Sequence, residues 1–525
     1  FYVGMADLKV SANDASGPMD QLQGEESPYR YDSNVDGRLA FFVNGKFGDH
    51  RKVTASADTR EGPVEDLFSN FLNKNHYSLF RRNDSDYYYP TVGDDSTVQE
   101  LAPTMGKFFV RVANDDNYGQ WGNFKVAYMN NELARVDRGL YGANAHYESE
   151  GATEFGDKRF AFDAFAAEPG TVGSREEFRG TGGSLYFLQH QDLLVGSERL
   201  RIEVRDKTSG IVTGVVNLTP GIDYDIDYLQ GRVLLTEPLS STSDDNLLVR
   251  SGALSGDEFY LVVRYEYTPG FDDIDAVSLG GQAHYWVADL VRLGVTSNVN
   301  EQDGEDSSLT AYDLTLKLAP DSWIKLQQAQ SEGLVSLPVV STDGGFDFNS
   351  PDATSFTNAK AEANRADVSF RLKDFIGVFD SRLTMYVQDV EAGYSAPGVT
   401  ALTDTTNYGG TLSVPVGNRF SFGAKLDKRE QELGLEAEAL EINMGYRIGE
   451  NWDVSVGYRT DERTDNSTLV PLTQKQGERA DMVVQVGYDS NDSWNVYSFV
   501  QDTVSVTGNR EENARVGFGG TYQVT

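Results

Sequence analysis

The chain of 525 residues contains no cysteine, which removes disulfides and thiolate metal sites from consideration. It suits an envelope protein that crosses an oxidising compartment unfolded. No window approaches 18 consecutive apolar residues and the mean hydropathy is -0.44, so a transmembrane helix is excluded. A membrane is not excluded, because a transmembrane barrel needs only strands of about 9–11 residues with one apolar face. Pro-rich tracts, Gly/Ser runs and long like-charge blocks are missing too. The length would suffice for about three or four ordinary soluble domains, but no obvious linker divides it. Basic residues are scarce: 45 Lys and Arg stand against 81 Asp and Glu, a formal charge of -36. That argues against nucleic acid, whose phosphates need a basic footprint, and suits a surface that binds divalent cations or basic partners. The chain opens at Phe1 with no charged-then-apolar leader, so any signal peptide is already gone or the sequence is a fragment.

What is present is alternation. In "NWDVSVGYRTDER", Trp452, Val454, Val456 and Tyr458 point one way in an extended chain, and Asp453, Ser455, Gly457 and Arg459 the other. The same pattern recurs at Phe420–Asp427, Leu440–Ile448, Met482–Asp489, Glu258–Tyr267 and Arg515–Val524. The second face often carries charge or glycine, as water would require.

The connections then sort by length. Residues 288–291, 320–322, 373–380, 417–418, 449–451 and 490–493 are the shorter ones, and 300–307, 331–365, 392–406, 428–437, 461–478 and 506–512 the longer ones between them. A soluble sandwich has no reason to segregate loops by end. An outer-membrane barrel does, with short turns in the periplasm and long loops outside. Trp323, Trp452 and Trp494 each directly follow a short turn, as an interfacial girdle would place them.

The expected fold is therefore all-β: a transmembrane antiparallel barrel of about 22 strands (range about 18–26), with an inserted small β module. Residues 1–190 supply about eight strands, the last near 182–190, with a long insertion at 60–104, and residues 257–525 about fourteen. Residues 191–256, with "TSG", "TPG" and "LQG" turns between short β runs, read as the module. Counting strands places its attachment at the periplasmic end and the C-terminus in the periplasm. The module either hangs there or fills the lumen, and 60–104 is a second candidate for lumen filling.

"YPTVGDDST", "GKFFVRV", "ELARVDRGLYGANAHYES", "EFRGTGGSLYFLQHQDLLVGSERLRIEVRD" and "DYDIDYLQGRVLLTEPLSS" resemble the C-terminal barrel region of very large proteobacterial outer-membrane proteins, loosely described as OmpA-like or TonB-dependent-receptor-like. The resemblance covers most of residues 1–300. The "GSER…DYDIDYLQGRVLL" piece also resembles the module repeated in SprA-type translocons. The resemblance implies a barrel of the Gram-negative outer membrane. It implies no settled activity and carries no functional residues with it.

Candidate sites are few. Asp32, Asn34 and Asp36 in "DSNVDG" fit the first half of a calcium loop, but the position where such a loop needs Glu is Val43. The competing reading is an Asp/Asn-rich turn with Gly37 opening a strand. "RGTGGS" (179–184) lacks the Lys-Ser/Thr of a phosphate loop and reads as a tight bend at a barrel rim or as close backbone packing. No two of the five histidines have metal-ligand spacing, and no catalytic constellation is visible, so no enzyme and no cofactor beyond calcium is expected. The expected function is a gated or plugged conduit for a macromolecule or bulky solute. The alternative is a non-conducting anchor for a surface assembly. Outer-membrane lipid, lipopolysaccharide and a protein partner in the periplasm or at the cell surface are the expected contacts.

Overall fold

The computed structural model describes all residues except 13–32, 70, 73–100, 105, 168–171, 195, 243–247, 251–255, 268–275, 303–305, 334–338, 351–359, 377–379, 433, 467–475, 491–492 and 524–525. In chain order the first wall strands are β1 (Tyr2–Ala12), β2 (Ser33–Phe47), β3 (Arg51–Asp58), the two-residue β4 (Gly62–Pro63), β5 (Phe108–Asn114), β6 (Asn117–Tyr128), β7 (Val136–Glu148) and β8 (Phe160–Ala167). There follow β9 (Val172–Arg179), β10 (Leu185–Phe187), β11 (Arg199–Arg205), β12 (Val212–Asn217), β13 (Tyr224–Asp227), β14 (Arg232–Leu235) and β15 (Glu258–Tyr267). The wall resumes with β16 (Ala276–Ala288), β17 (Val291–Gln302), β18 (Ser307–Ala319) and β19 (Ser322–Glu332). After β20 (Val339–Ser341) come β21 (Lys360–Arg371), β22 (Arg382–Val390), the small hairpin β23 (Ser395–Ala396) and β24 (Val399–Thr400), and β25 (Thr405–Val416). The last are β26 (Phe420–Gln431), β27 (Leu435–Ile448), β28 (Trp452–Asp465), β29 (Gly477–Asp489), β30 (Trp494–Val506) and β31 (Arg515–Tyr522).

One antiparallel sheet of 21 strands contains the wall; setting aside β4 leaves twenty long strands, each paired with its neighbour in sequence. The exception is where β8 pairs directly with β16, Ala167 opposite Ser278, across everything between them. This is the large antiparallel barrel the alternation predicts. Among the described residues, no pairing joins the two edge strands β1 and β31.

The outer face is apolar over the whole sweep. Val277, Leu279, Leu293, Val295, Met385, Val387, Met444, Val456, Met482, Val484 and Val496 are all exposed. No water-soluble fold leaves so continuous an apolar band uncovered, and the face carrying Trp452 accordingly meets lipid. The inner face holds paired charges: Arg292–Asp313 at 2.7 Å, Arg365–Asp367 at 2.7 Å, Arg459–Glu441 at 3.2 Å and Arg479–Asp481 at 3.0 Å. At the short-turn end Tyr488 packs on Trp452 at 5.0 Å and on Trp494 at 5.2 Å, forming part of the aromatic girdle.

Two segments expected in the wall lie elsewhere. Residues 182–190 contain β10, and 258–267 are β15; both belong to the inserted module. This accounts for twenty long strands instead of about 22. The cause is physical: β15 alternates Phe259, Leu261, Val263 and Tyr265 with Glu258, Tyr260, Val262, Arg264 and Glu266 because one face meets the module's own core, which yields the same period as a face meeting lipid. The module thus begins at β9, not at residue 191. Losing one wall strand on each side also moves its attachment, so it joins the barrel at the long-connection end rather than at the short-turn end. Two connections expected to be long are short: 428–437 is only 432–434 and 300–307 only 303–306, because the flanking strands extend into them.

The module has two layers. A five-stranded sheet, β12-β11-β15-β9-β20, faces a three-stranded one, β10-β14-β13. Phe178, Tyr186, Leu200, Tyr224, Val233, Leu261 and Val263 fill the space between them. β20 comes from the connection between β19 and β21 and pairs in parallel with β9, so a wall connection is stitched into the module.

Candidate functional site

The module lies against the polar inner face of the wall, and its contacts reach strands far apart in the strand order. On β6 and β7, Lys125 Nζ donates to the Glu198 carbonyl at 3.3 Å and Arg138 pairs with Glu266 at 2.9 Å. Arg138 also donates to Asn300 on β17 at 2.9 Å. A Cβ at Gly139 would lie 2.6 Å from the Ser197 Cα, so only glycine lets the module backbone approach this closely. On β26 and β28, Lys425 pairs with Asp206 at 2.5 Å, and Arg459 donates to Thr208 at 3.4 Å. On β30, Gln501 accepts from the Arg250 amide at 2.9 Å and donates to the Arg250 carbonyl at 2.8 Å. Contacts with β7 and with β30 are possible together only for a body inside the curl of the sheet.

Two wall connections fold in beside it. Leu133 and Ala134, between β6 and β7, pack with Tyr394 and Ala396 against the inward Leu309, Ala311 and Ala363. The Tyr394 hydroxyl donates to the Leu133 carbonyl at 2.8 Å. The insertion at 60–104 contributes through its described part: Leu67 is buried, and Tyr141 donates to the Leu72 carbonyl at 3.2 Å.

The module does not fill the interior completely. A cavity of about 730 Å³ remains between Leu194, Gly196 and Ser197 of the module and the wall strands β3, β5, β6 and β7. Lys52, Arg111, Lys125 and Asp115 are its charged lining.

Asp206 holds the module to β26. Burial by itself would raise its carboxyl, but Lys425 and the Ser209 amide more than offset this and leave it below the usual range. A carboxylate depressed in the folded state contributes stability above its ordinary pKa and loses it as pH falls through the lowered value. Acidification below the ordinary carboxylate range should therefore loosen the module on this side. Lys425→Met should do the same at neutral pH, read as faster proteolysis of the module in detergent with the barrel's gel migration unchanged.

The residues singled out from the sequence are not brought together. Asp32 lies outside the described residues. Asn34 and Asp36 belong to β2, which starts at Ser33, so there is no turn opening at Gly37. Asp36 stands opposite Lys9 and Pro63 in the register. Among the described residues no group of three His, Cys, Asp or Glu could hold a metal. "RGTGGS" ends β9, where the Gly182 amide donates to the Leu239 carbonyl inside the module, not at a barrel rim. His50 and His146 each pair with an aspartate, Asp115 at 2.9 Å and Asp163 at 2.6 Å, while His190 stacks on Tyr267. Reading along the chain misses the charged interface altogether, since its partners are far apart in sequence.

No family model matches this sequence, and no curated protein does. Among solved structures, the PapC usher translocation pore aligns over 93% of this chain and 95% of its own, at 8% identity and a TM-score of 0.26. A ferric enterobactin receptor mutant (PfeA) from Pseudomonas aeruginosa covers 99% of this chain and 80% of its own, at 9% identity and a TM-score of 0.31. OccK5 from the same organism covers 99% and 96%, at 9% identity and a TM-score of 0.22. All three superpositions are loose, and nothing about this chain's cargo follows from them.

Proposed function

We propose that this chain is an outer-membrane conduit whose lumen is closed by the β9–β15 module, and that it moves its solute without chemistry of its own. One observation carries the reading: the module is held inside the barrel by polar contacts to distant wall strands, Arg138–Glu266 on one side and Lys425–Asp206 on another. A plug bound by ion pairs and hydrogen bonds in a hydrated lumen is displaceable, whereas one fused to the wall by an apolar core is not. The remaining cavity beside β3 and β5 is then the narrow space that the closed state leaves. Outer-membrane lipid and lipopolysaccharide surround the apolar band, and a partner at one end moves the plug. Planar-bilayer conductance with and without the module tests this. The anchor reading predicts no conductance in either form.

The orientation proposed rests on connection length. The long connections, and with them the module's attachment, are placed outside the cell, and the short turns and the C-terminus in the periplasm. A cysteine at Asn466 should react with a membrane-impermeant maleimide on intact cells. One at Asn418 should react only after the outer membrane is permeabilised. The reverse pattern would invert the topology, and the absence of native cysteine keeps the background clean.

A further inference from the structure

The five-stranded sheet of the module has two unlike faces. One meets the module's core. The other carries Arg175 and Glu177 on β9, Arg199, Arg201, Glu203 and Arg205 on β11, and Arg264 on β15. This face is not solvated as a surface would be. The Arg175 and Arg201 side chains are 5% and 3% exposed, and Arg264 is 7% exposed. It is covered by β7, by the segment leading to Arg135, and by the β23–β24 hairpin.

Charge does not balance there. Arg138 pairs with Glu266, and Arg135 with Glu132. Among the described residues that leaves the five cations Arg175, Arg199, Arg201, Arg205 and Arg264 against the three carboxylates Asp137, Glu177 and Glu203. Glu177 and Glu203 are shared out: Arg205 reaches both, at 2.5 and 2.6 Å, while Arg175 pairs with Glu177 and stands 3.9 Å from Glu203. Donors are left over. Nε and Nη2 of Arg175, Nε of Arg201, and Nε and Nη2 of Arg264 are buried without a hydrogen-bond partner among the described residues. An uncompensated guanidinium away from water is costly, and arginine does not escape by losing its proton in the ordinary range. Burial, with Arg175 and Arg201 alongside, pulls Arg264 well below the usual arginine value. Arg175 is lowered by burial even though Glu177 and Glu203 oppose it.

Above these donors sits Gly398, at the tip of the hairpin. It has φ of 93°, and a Cβ built there would lie 3.6 Å from Nη2 of Arg175 and 4.0 Å from Nη2 of Arg201. The hairpin thus presents backbone, with no side chain, to a cluster of forked donors in surplus. A planar fork of N–H groups matches the oxygens of a carboxylate or phosphate.

We infer that the Arg175–Arg201–Arg264 face of the module binds an oxyanion, and that the solutes this barrel handles are anionic, bearing carboxylate or phosphate groups. A chain with net charge -36 keeps this positive surplus inside, beneath the β23–β24 hairpin. The inference about solutes rests on the conduit reading; binding at the site does not.

The test is equilibrium binding of inorganic phosphate and of citrate to the purified full chain in detergent, at constant ionic strength set with chloride. Saturable binding is expected. Phosphate alone, citrate alone, or both will identify which oxyanion the fork accepts. Arg201→Gln and Arg264→Gln should each weaken it by about tenfold or more. Heat-modifiable gel migration reports whether those variants keep the barrel. Glu203→Gln removes a competing carboxylate without removing a donor, so it should tighten binding whatever becomes of the arginine variants. No saturable binding of either probe, or unchanged or weaker binding in Glu203→Gln, overturns the site. If binding is absent while the module-deleted barrel conducts, the anion site is wrong and the conduit stands. If binding is present while no form conducts, the site stands and the conduit falls.

Discussion

Excising residues 168–275 and joining β8 to β16 with a short turn should leave a folded barrel and raise single-channel conductance roughly tenfold or more, since a lumen of this strand number is roughly 40 Å across between backbones. The excision is geometrically undemanding. β8 and β16 are already hydrogen-bonded neighbours, with Phe160 opposite Tyr285 and Ala167 opposite Ser278, so a tight hairpin can replace the whole insertion. The wall groups that lose partners, Arg138, Lys425 and Gln501, then face a water-filled lumen and are rehydrated. β20 loses its partner strand, but it belongs to a connection, not to the wall. Retained heat-modifiable migration with high conductance supports a plug. A folded deletion that conducts no more than the full chain would leave the anchor as the better reading.

Val484→Arg should abolish assembly in the membrane, while Gln485→Arg, one residue along, should be tolerated. Val484 is near the middle of β29 on the exposed face, between Met482 and Val486. An arginine on the lipid face near the bilayer midplane costs about 2–4 kcal/mol. Gln485 points inward with Asp481 and Val483, where the lumen already holds ion pairs such as Arg479–Asp481. The measurement is the fraction reaching the heat-modifiable form after refolding into lipid vesicles. Equal loss for both variants would mean that the outer face does not meet lipid. Loss for Gln485→Arg alone would reverse inside and outside.

Much of the wall was legible in the sequence because what makes it is local. Trp452, Val456 and Tyr458 alternate with Asp453, Ser455 and Arg459 since successive strand residues face opposite sides, one lipid and one water. The short turns at 417–418 and 449–451 were legible because a two- or three-residue link must sit at the end of a hairpin. The calcium reading of Asp32, Asn34 and Asp36 came from the spacing of a loop motif, whereas Asn34 and Asp36 lie in β2, whose pairing with β1 extends back to Ser33.

By itself, then, the sequence determined the class of fold, the apolar outer band and the alternation of short with mostly long connections. Only the tertiary structure decided which alternating strands form the wall, because a face against a protein core and a face against lipid impose the same period on a strand such as β15. It also decided that the module lies inside, since the contacts that hold it, Arg138 to Glu266 and Lys425 to Asp206, join residues 128 and 219 positions apart, and no local pattern registers a charge whose partner is that distant.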